Sequence, residues 1–244
     1  MQAHLHLENL NIPYALLPGD PGRLEHIKKF LTDVEELAYH REYRSLRGKY
    51  KEMPVLALST GIGGPSAGIA LEELKNIGVR YAIRIGSCGA LQKDIPLGEL
   101  ILAEGAVREE GTSKMYVREN FPAVANLNLL STMKQTAEEL GCPHRLGIIL
   151  SHDSFYMDTE VEESAYWSSK GVLGADMETA TLYTIGRLRK ICCASILNNV
   201  VLYGQDTSES IGDYAQGESL TAFGEKNEIH LALETFYCIY QKQK

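Results

Sequence analysis

Hydrophobic and polar residues follow two alternating patterns along the chain. Short apolar runs rich in β-branched residues predict strands at 14–17, 55–58, 81–85, 99–106, 146–150, 172–177 and 193–203. Between these runs, apolar residues recur every three or four positions, which predicts helices at 23–31, 65–78, 126–140, 159–169, 178–189 and 223–240. Strands that alternate with helices indicate an α/β fold, with helices on both sides of a largely parallel central sheet. A ligand is then expected where the strands end and their loops converge.

The composition narrows the classes of partner. The chain has 244 residues, with 24 Lys and Arg against 32 Asp and Glu, so its net charge is −8. This length suits a single domain over residues 1–244. The acidic balance argues against nucleic acid as a partner, because binding a polyanion requires a basic face. No apolar stretch approaches the roughly 18 residues of a membrane helix, and the N-terminal residues lack a basic region followed by an apolar run, so no membrane partner and a cytoplasmic location are expected.

Three glycine-rich turns follow predicted strands, at 19–23, 61–64 and 86–89. Backbone N–H groups at such turns bind anions, and the adjacent Arg23 and Arg84 would add bidentate hydrogen bonds to a phosphate. Arg84 lies among apolar residues and is costly to bury unless it is paired, either with a ligand or with a carboxylate of the core. Neither the dinucleotide-binding fingerprint nor a Walker-type phosphate loop is present, so no nucleotide cofactor is indicated.

Three polar segments are candidates for a functional role. For two of them a structural role is an equal alternative, and for the third a catalytic triad is excluded. Asp176 and Glu178 lie where a strand turns into a helix, and either a sugar diol or the solvated start of the helix would account for them. Residues 151–156 contain Ser, His and Asp, but neighbours in sequence seldom form a catalytic triad and no nucleophile elbow is present. The polar stretch 204–217 is expected to be a long surface loop, either functional or an ordinary insertion.

Four motifs together resemble the nucleoside phosphorylase-I family, which includes the hexameric bacterial purine nucleoside phosphorylases and the uridine phosphorylases. The motifs are Pro-Gly-Asp-Pro-x-Arg at 18–23, Gly-Ile-Gly-Gly-Pro-Ser at 61–66, Arg-Ile-Gly-Ser-Cys-Gly-Ala at 84–90 and Asp-Met-Glu at 176–178. The second motif and the segment His-Arg-Glu-Tyr at 40–43 are most similar to the uridine phosphorylase branch. The resemblance implies a single-domain, three-layer α/β/α fold with a mixed, largely parallel sheet. It also implies a pentosyltransferase, which cleaves a nucleoside with inorganic phosphate to give free base and (deoxy)ribose 1-phosphate, without a cofactor.

The resemblance also assigns roles to particular residues. It implies phosphate binding by Gly19, Arg23, Arg41, Arg84 and Ser87 and ribose binding by His4, Ser87, Met177 and Glu178. The implied base contacts are Phe155, Asp176 and Asn199, and the implied catalytic residues are Arg84, Glu178 and Asn199. His4 and Arg41 match residues that a neighbouring subunit lends to the site. A homodimer with shared active sites, assembled into a trimer of dimers, is therefore expected.

The residues that would read the base depart from both branches of the family. Asn199 stands where purine enzymes usually carry an acidic Asp, and Thr159 and Val161 stand where uridine enzymes usually carry a Gln and an Arg. The preferred base, pyrimidine or purine, therefore stays open, and a hydrolytic nucleosidase and a non-catalytic nucleoside-binding protein are the alternatives from other classes. No metal is expected, apart from a monovalent cation whose family ligands match Glu42, Ile62 and Ser66.

Overall fold

The structure is a computed structural model that describes residues 1–205 and 219–244. Its sheet contains strands β1 to β10, most of them longer than the sequence predicts. Their bounds are Tyr14–Pro18, Thr32–His40, Tyr43–Tyr50, Met53–Leu58, Tyr81–Ala90, Leu100–Glu109, Ala123–Val124, His144–His152, Gly174–Asp176 and Cys192–Val201. Residues 206–217 of the predicted loop lie outside the described residues.

The helices of the described ranges are α1 to α7, and most match the predicted positions. Their bounds are Leu24–Lys28, Gly64–Asn76, Thr112–Tyr116, Leu127–Leu140, Glu160–Ser169, Thr179–Arg189 and Ser219–Gln243. Pro65 lies in the first turn of α2, where its missing N–H costs no hydrogen bond. Asn126 caps α4 by accepting a hydrogen bond from the Leu129 N–H at 3.0 Å.

The segment after β1 differs from the single helix predicted at 23–31. A short 3₁₀ helix spans Pro21–Arg23 and is followed by the five-residue α1. The Asp20 carboxylate starts the 3₁₀ helix by accepting a hydrogen bond from the Gly22 N–H at 2.8 Å. The chain then enters strand β2 at Thr32. The helical prediction was therefore too long, because local apolar spacing does not report where a strand begins.

An antiparallel hairpin of β2 and β3 occupies a region for which the sequence predicted no element. β2 has no buried residue and lies at the end of the sheet order, whereas β3 pairs with β4 and is largely buried. A strand that buries neither face lacks the alternation of apolar and polar residues from which strands are predicted. The hairpin turn carries Arg41 and positions Glu42 beside the loop after β4.

Strand β5 is the centre of the sheet, and it corrects the prediction of a turn at 86–89. It continues to Ala90 because β10 pairs with it in parallel from Cys192 to Val201, while β9 pairs with it at Gly89 and Ala90. β1 pairs with the first half of β5. The third glycine-rich segment therefore lies within a strand.

Ten strands form one mixed sheet, whose main path runs β10-β6-β8-β9-β5-β1-β4-β3-β2. The additional pairing of β10 with β5 closes β5, β10, β6, β8 and β9 into a ring. Helices α2, α3 and α6 pack together, and α4 packs with α7, so two groups of helices cover the sheet. The predicted α/β class with a mixed sheet is confirmed. Within the described ranges, no helix is both long enough and apolar enough to cross a membrane.

Candidate functional site

A cavity of about 1920 Å³ opens where the carboxyl ends of several strands meet. The segments that follow β1, β4, β8 and β9 line it, together with the second half of β5 and the end of β10. Helix α7 contributes one wall. Converging strand ends of an α/β sheet are the usual place for a small-molecule site.

Arg84 is buried at this cavity between two carboxylates. Its Nε donates a hydrogen bond to Asp176 Oδ2 at 3.0 Å, and its Nη2 lies 2.5 Å from Glu178 Oε2. Only 7% of its side chain is exposed. The sequence left open whether Arg84 pairs with a ligand or with carboxylates of the core. The structure shows the carboxylates, and it also places Arg84 in the cavity wall. Arg84 is thus a fixed positive charge whose desolvation is compensated by ion pairs.

Glycine at position 86 allows this arrangement of the guanidinium. A Cβ atom at Gly86 would lie 2.5 Å from Nη2 and 2.7 Å from Cζ of Arg84. The guanidinium therefore folds back over the backbone of its own strand, at a position that only glycine leaves open. Ser87, the next residue, also lines the cavity.

The Asp176 carboxylate is a junction of hydrogen bonds rather than an open group. It accepts from the hydroxyls of Ser151 and Thr179, each at 2.6 Å, and from the Thr179 N–H. These contacts tie the end of β9 to β8 and to the start of α6. With its side chain unexposed and its oxygens used in this way, Asp176 is better suited to holding Arg84 than to contacting a base.

Glu178 has a different environment, although it lies two residues away. Its Oε1 accepts the Gly63 N–H at 2.5 Å, and its Oε2 pairs with Arg84. Gly63 adopts a φ of 89°, a conformation that favours glycine, and this turns its N–H towards the carboxylate. Burial raises the pKa of Glu178, against the opposing charge of Arg84. Met177 and Glu178 both line the cavity.

Arg23 provides a second buried guanidinium in the same cavity. Its Nη1 donates to the Ile85 carbonyl and to Glu228 Oε1, both at 3.2 Å, and its Nε lies 3.4 Å from Glu225 Oε2. Both glutamates belong to α7, and His26 pairs with Glu225 from the other side. Sequence reasoning missed this pair. The signal was available, because the three-residue spacing of Glu225 and Glu228 puts both on one face of a helix that is otherwise apolar there.

The end of β8, the segment after it and the start of α5 form another part of the cavity lining. They contribute the apolar side chains of Phe155, Met157 and Val161 and the polar side chains of His152, Glu160, Glu163 and Ser164. Thr159 precedes α5, and Val161, in its first turn, is 79% exposed. This wall has an aromatic ring for stacking and no guanidinium or amide at positions 159 and 161.

The family model described as the phosphorylase superfamily matches residues 13–218. A uridine phosphorylase of Thermococcus kodakarensis is 44% identical over 203 residues, which are 77% of this chain and 73% of that protein. The crystal structure of a Vibrio fischeri uridine phosphorylase superposes with a TM-score of 0.90 at 44% identity, covering 97% of both chains. The chain belongs to the phosphorylase superfamily.

A third relative shows that the superfamily match is not restricted to one branch. The crystal structure of a purine nucleoside phosphorylase from Toxoplasma gondii, in complex with immucillin-H, also gives a TM-score of 0.90, at 30% identity over 99% of this chain and 97% of that one. The predicted family is confirmed. Some of the predicted site residues meet at the cavity of this phosphorylase fold, and others do not.

Most of the predicted residues of the chain's own site do come together. The cavity is lined by Gly19, Arg23, Arg84, Ser87, Phe155, Asp176, Met177 and Glu178. Gly19 joins the turns after β1 and β4, because its carbonyl accepts the Gly61 N–H at 2.9 Å. The phosphorylase motifs at 18–23, 84–90 and 176–178 therefore form one continuous wall.

Asn199 is the exception, since the structure places it in the core and not in the cavity wall. Its Nδ2 donates to the carbonyls of Ile95 and Pro96, at 3.3 and 3.1 Å, and its side chain is fully buried. A shift in the β10–β5 register between Asn199 and Val201 alters which residues face the cavity, and Val201 lines it instead. In this conformation the Asn199 amide holds the loop before β6 and does not meet a base.

His4 and Arg41 also lie outside the cavity of their own chain. The Nδ1 of His4 is 2.7 Å from Glu73 Oε1, on α2, and Arg41 is exposed in the β2–β3 turn with a φ of 57°. The expectation that a neighbouring subunit supplies these residues is compatible with such positions and stays a prediction.

The residues matched to a monovalent cation site lie beside the loop after β4. Ser66 Oγ lies 2.5 Å from both Glu42 Oε1 and the Thr60 carbonyl oxygen, and Ile62 is exposed and lines the cavity. These oxygens are of the hard type that binds such cations. Among the residues that the structure describes, no group of three or more His, Cys, Asp or Glu side chains is arranged to hold a metal ion.

Proposed function

We propose that this member of the phosphorylase superfamily cleaves nucleosides in the manner of a uridine phosphorylase. Inorganic phosphate would attack C1′ of the sugar, and the products would be free base and (deoxy)ribose 1-phosphate. The observation that carries the proposal is the pair of buried arginines, Arg23 and Arg84, in the wall of one cavity. The general activity predicted from sequence, nucleoside phosphorylase, is confirmed by the family match and the relatives.

The phosphate site would use fixed positive charge and backbone donors. Arg23 approaches the cavity from the 3₁₀ helix after β1 and Arg84 from strand β5, and Gly19 and Ser87 line the same cavity. Because Arg23 is held by an ion pair with Glu225 and Arg84 by one with Asp176, the two guanidiniums would not need to reorganise as phosphate binds. A phosphate fixed in this way would be placed in line with the anomeric carbon, and such positioning lowers the barrier of a two-substrate reaction.

Glu178 would orient the sugar and stabilise positive charge on it. Its carboxylate is anchored by the Gly63 N–H and by Arg84, which leaves its remaining lone pairs for the ribose hydroxyls. As the bond to the base breaks, the sugar becomes cationic, and an adjacent carboxylate would stabilise that charge. Met177 would pack against the sugar. We assign no acid to the leaving base, since Asn199 faces the loop before β6.

The complete site would need two chains. In this proposal His4 and Arg41 reach the sugar and phosphate of a partner subunit, which gives a homodimer with shared active sites and, by further assembly, a trimer of dimers. Their location outside the cavity of their own chain supports this part of the proposal. We also propose that the enzyme acts in the cytoplasm.

Purine cleavage is the second candidate, and one observation favours it. At positions 159 and 161, where the uridine branch usually carries a Gln and an Arg, Thr159 and Val161 provide neither an amide nor a guanidinium for the polar edge of uracil, whereas stacking on Phe155 suits any base. The purine nucleoside phosphorylase among the structural relatives shows that a fold this similar accommodates such an enzyme.

Release of free base from uridine, thymidine, inosine, guanosine and adenosine, with and without phosphate, tests both candidates. We expect phosphate-dependent release from at least one of them. Release that does not depend on phosphate would instead identify a nucleosidase, and no release from any of the five would refute the enzymatic proposal.

Two matched arginine variants test the phosphate site itself. Arg84→Lys keeps the charge but loses the planar fork, so the KM for phosphate should rise by about tenfold or more. Arg145→Lys is the control, because Arg145 also bonds to two carboxylates, Asp94 and Glu99, but does not line the cavity. Equal phosphate KM values for the two variants would exclude Arg84 from phosphate binding.

A further inference from the structure

The carboxylates around the two buried arginines outnumber them. Arg23 and Arg84 carry two positive charges. Four carboxylates face them, Asp176 and Glu178 at Arg84 and Glu225 and Glu228 at Arg23. If all four were ionised, the cluster would be negative before any phosphate entered. Protonation of one of these carboxylates would therefore favour the binding of an anion.

Glu228 is the carboxylate best placed to lose its charge. Its side chain is 0% exposed, and Oε1 contacts Arg23 Nη1 at 3.2 Å. Its second oxygen, Oε2, is buried and has no hydrogen-bond partner among the described residues. An ionised carboxylate with one unpaired buried oxygen is costly. Burial raises the pKa of Glu228 to about 8, even though Arg23 opposes the shift.

We propose that Glu228 is a positioning residue for Arg23, and that it takes up a proton from solvent when an anion binds beside Arg23. This inference rests on the proposed phosphate site. The Oε1 contact fixes the guanidinium against the Ile85 carbonyl. The Glu228 carboxyl then stays neutral while the anion pairs with the charge of Arg23. At pH values above the pKa that Glu228 has without an anion, one proton is therefore taken up for each anion bound.

The sign of the pH effect follows from the charges. A dianion near Glu228 raises its pKa further, so the complex holds the proton more tightly than the empty protein does. Below about pH 8 the carboxyl is already protonated, and binding requires no uptake. Above that pH the empty site is ionised, and anion affinity falls by up to about tenfold per pH unit.

Other titratable groups near Glu228 must be separated from it. Glu225, on the same helix as Glu228, faces Arg23 and pairs with His26 of α1. Arg84 and Cys88 of β5 are also close enough to Glu228 to affect its charge. The Cys88 thiol stays protonated because burial raises its pKa. Glu178 faces the same Arg84 and also has a raised pKa, so it is the group whose titration could imitate that of Glu228.

Three variants distinguish these contributions. Glu228→Gln keeps an acceptor for Arg23 and imitates the protonated carboxyl at every pH. Glu228→Leu removes the acceptor as well as the proton site. Glu234→Gln is the matched control on the same helix, because Glu234 bonds to Tyr50 and Lys51 and does not line the cavity.

Binding of sulfate, a dianion that does not itself titrate in this range, is measured by calorimetry at pH 7 and pH 9. We expect wild type and Glu234→Gln to bind about tenfold more weakly at pH 9, with proton uptake seen as a dependence of the heat on buffer ionisation enthalpy. Glu228→Gln should match wild type at pH 7 and lose most of the change at pH 9. Glu228→Leu should bind more weakly than wild type at pH 7, because Arg23 is no longer held.

Three results would count against these statements, and they are distinguishable. An unchanged pH dependence in Glu228→Gln overturns the inference and assigns the titration to Glu178. A wild-type sulfate affinity that is equal at both pH values overturns it too, while phosphate-dependent base release would leave the proposed function intact. Failure of the wild type to bind sulfate or phosphate at either pH, together with no base release, overturns the phosphate site itself.

Discussion

At the scale of single residues, the site depends on side chains that are buried, charged and already paired. Arg84 illustrates why such a group is kept. Removing it would leave Asp176 and Glu178 as uncompensated buried charges, whereas replacement of a whole buried ion cluster by well-packed apolar groups is often neutral or stabilising. The charged group is therefore explained by ligand binding better than by stability. The sequence offered two roles for Arg84, binding an anion and pairing with carboxylates of the core. The same guanidinium can serve in both.

Phe155 provides a prediction at this scale. The ring lines the cavity, and stacking of a base on an aromatic ring is worth roughly 1–3 kcal/mol. Phe155→Ala should therefore raise the KM for the nucleoside by about fivefold or more while the KM for phosphate stays the same. Steady-state kinetics with each substrate varied in turn checks this.

Tyr166→Ala is the control for that measurement, since Tyr166 is an exposed aromatic residue of α5 that does not line the cavity. We expect it to leave both KM values unchanged. A rise in the phosphate KM of Phe155→Ala equal to the rise for the nucleoside would argue for a general disturbance of the loop and against stacking.

Sequence reasoning located individual residues well where a motif marked them and poorly where only the fold brings them together. Arg23, Arg84 and Glu178 stand in recognisable motifs, and all three line the cavity. Glu228 is distant in sequence from Arg23, and only the packing of α7 brings the two side chains within 3.2 Å. The position of Asn199 could not be foreseen either, because it depends on a register shift between two strands.

At the scale of elements, the site is a set of strand ends held in register by a few hydrogen-bonded junctions. The chief junction is Asp176, at the end of β9. It joins Arg84 of β5, Ser151 of β8 and Thr179 of α6. The geometry of phosphate and sugar contacts thus depends on a residue whose own side chain is not exposed to the cavity.

Loss of this junction should be visible as loss of stability. Asp176→Ala leaves Arg84 with a single carboxylate partner and the buried Ser151 hydroxyl without its acceptor, so the free energy of unfolding should fall by about 3–5 kcal/mol. Urea denaturation measures it. Asp158→Ala, an exposed aspartate before α5, should change the same quantity by less than about 0.5 kcal/mol. Similar values for the two variants would mean that Asp176 is not the junction of these elements.

The same scale explains which elements were predictable. Strands β1 and β4 are buried on both faces and were recognised from continuous apolar runs. β2 buries no residue, so its sequence carries no pattern that distinguishes it from a loop. The extension of β5 through Gly86 and Gly89 depends on partners β9 and β10, which are remote in sequence. Local pattern therefore gives the core elements, and long-range pairing determines the rest.

At the scale of the whole molecule, a net charge of −8 coexists with a site proposed for a dianion. The two are compatible because net charge governs long-range attraction, whereas binding depends on the few charges inside the cavity. Arg23 and Arg84 give that cavity two buried positive groups. The proposed third arginine, Arg41, lies in the exposed β2–β3 turn and would act only in an assembly.

The shared-site proposal makes a quantitative prediction for mixed dimers. Arg41→Ala removes a residue proposed to act in the partner's site, and Arg84→Lys removes one that acts in its own. In a mixed dimer, one site combines the intact Arg84 of the first chain with the intact Arg41 of the second. Random pairing makes half of the dimers mixed, and each mixed dimer has one intact site. At a phosphate concentration well below the wild-type KM, where a tenfold rise in KM leaves Arg84→Lys with about a tenth of wild-type activity, co-expression should therefore add about a quarter of wild-type activity.

A second mixture separates site sharing from mere stabilisation by the partner. Arg84→Lys and Glu178→Gln both damage the site of their own chain, so no mixed dimer of these two contains an intact site, and co-expression should restore nothing. Differently tagged chains allow the mixed dimers to be purified and assayed for phosphate-dependent base release. Restoration in both mixtures, or in neither, would contradict an active site to which Arg41 of the partner subunit contributes. Restoration in the first alone would show that the catalytic unit is the dimer and not the single chain.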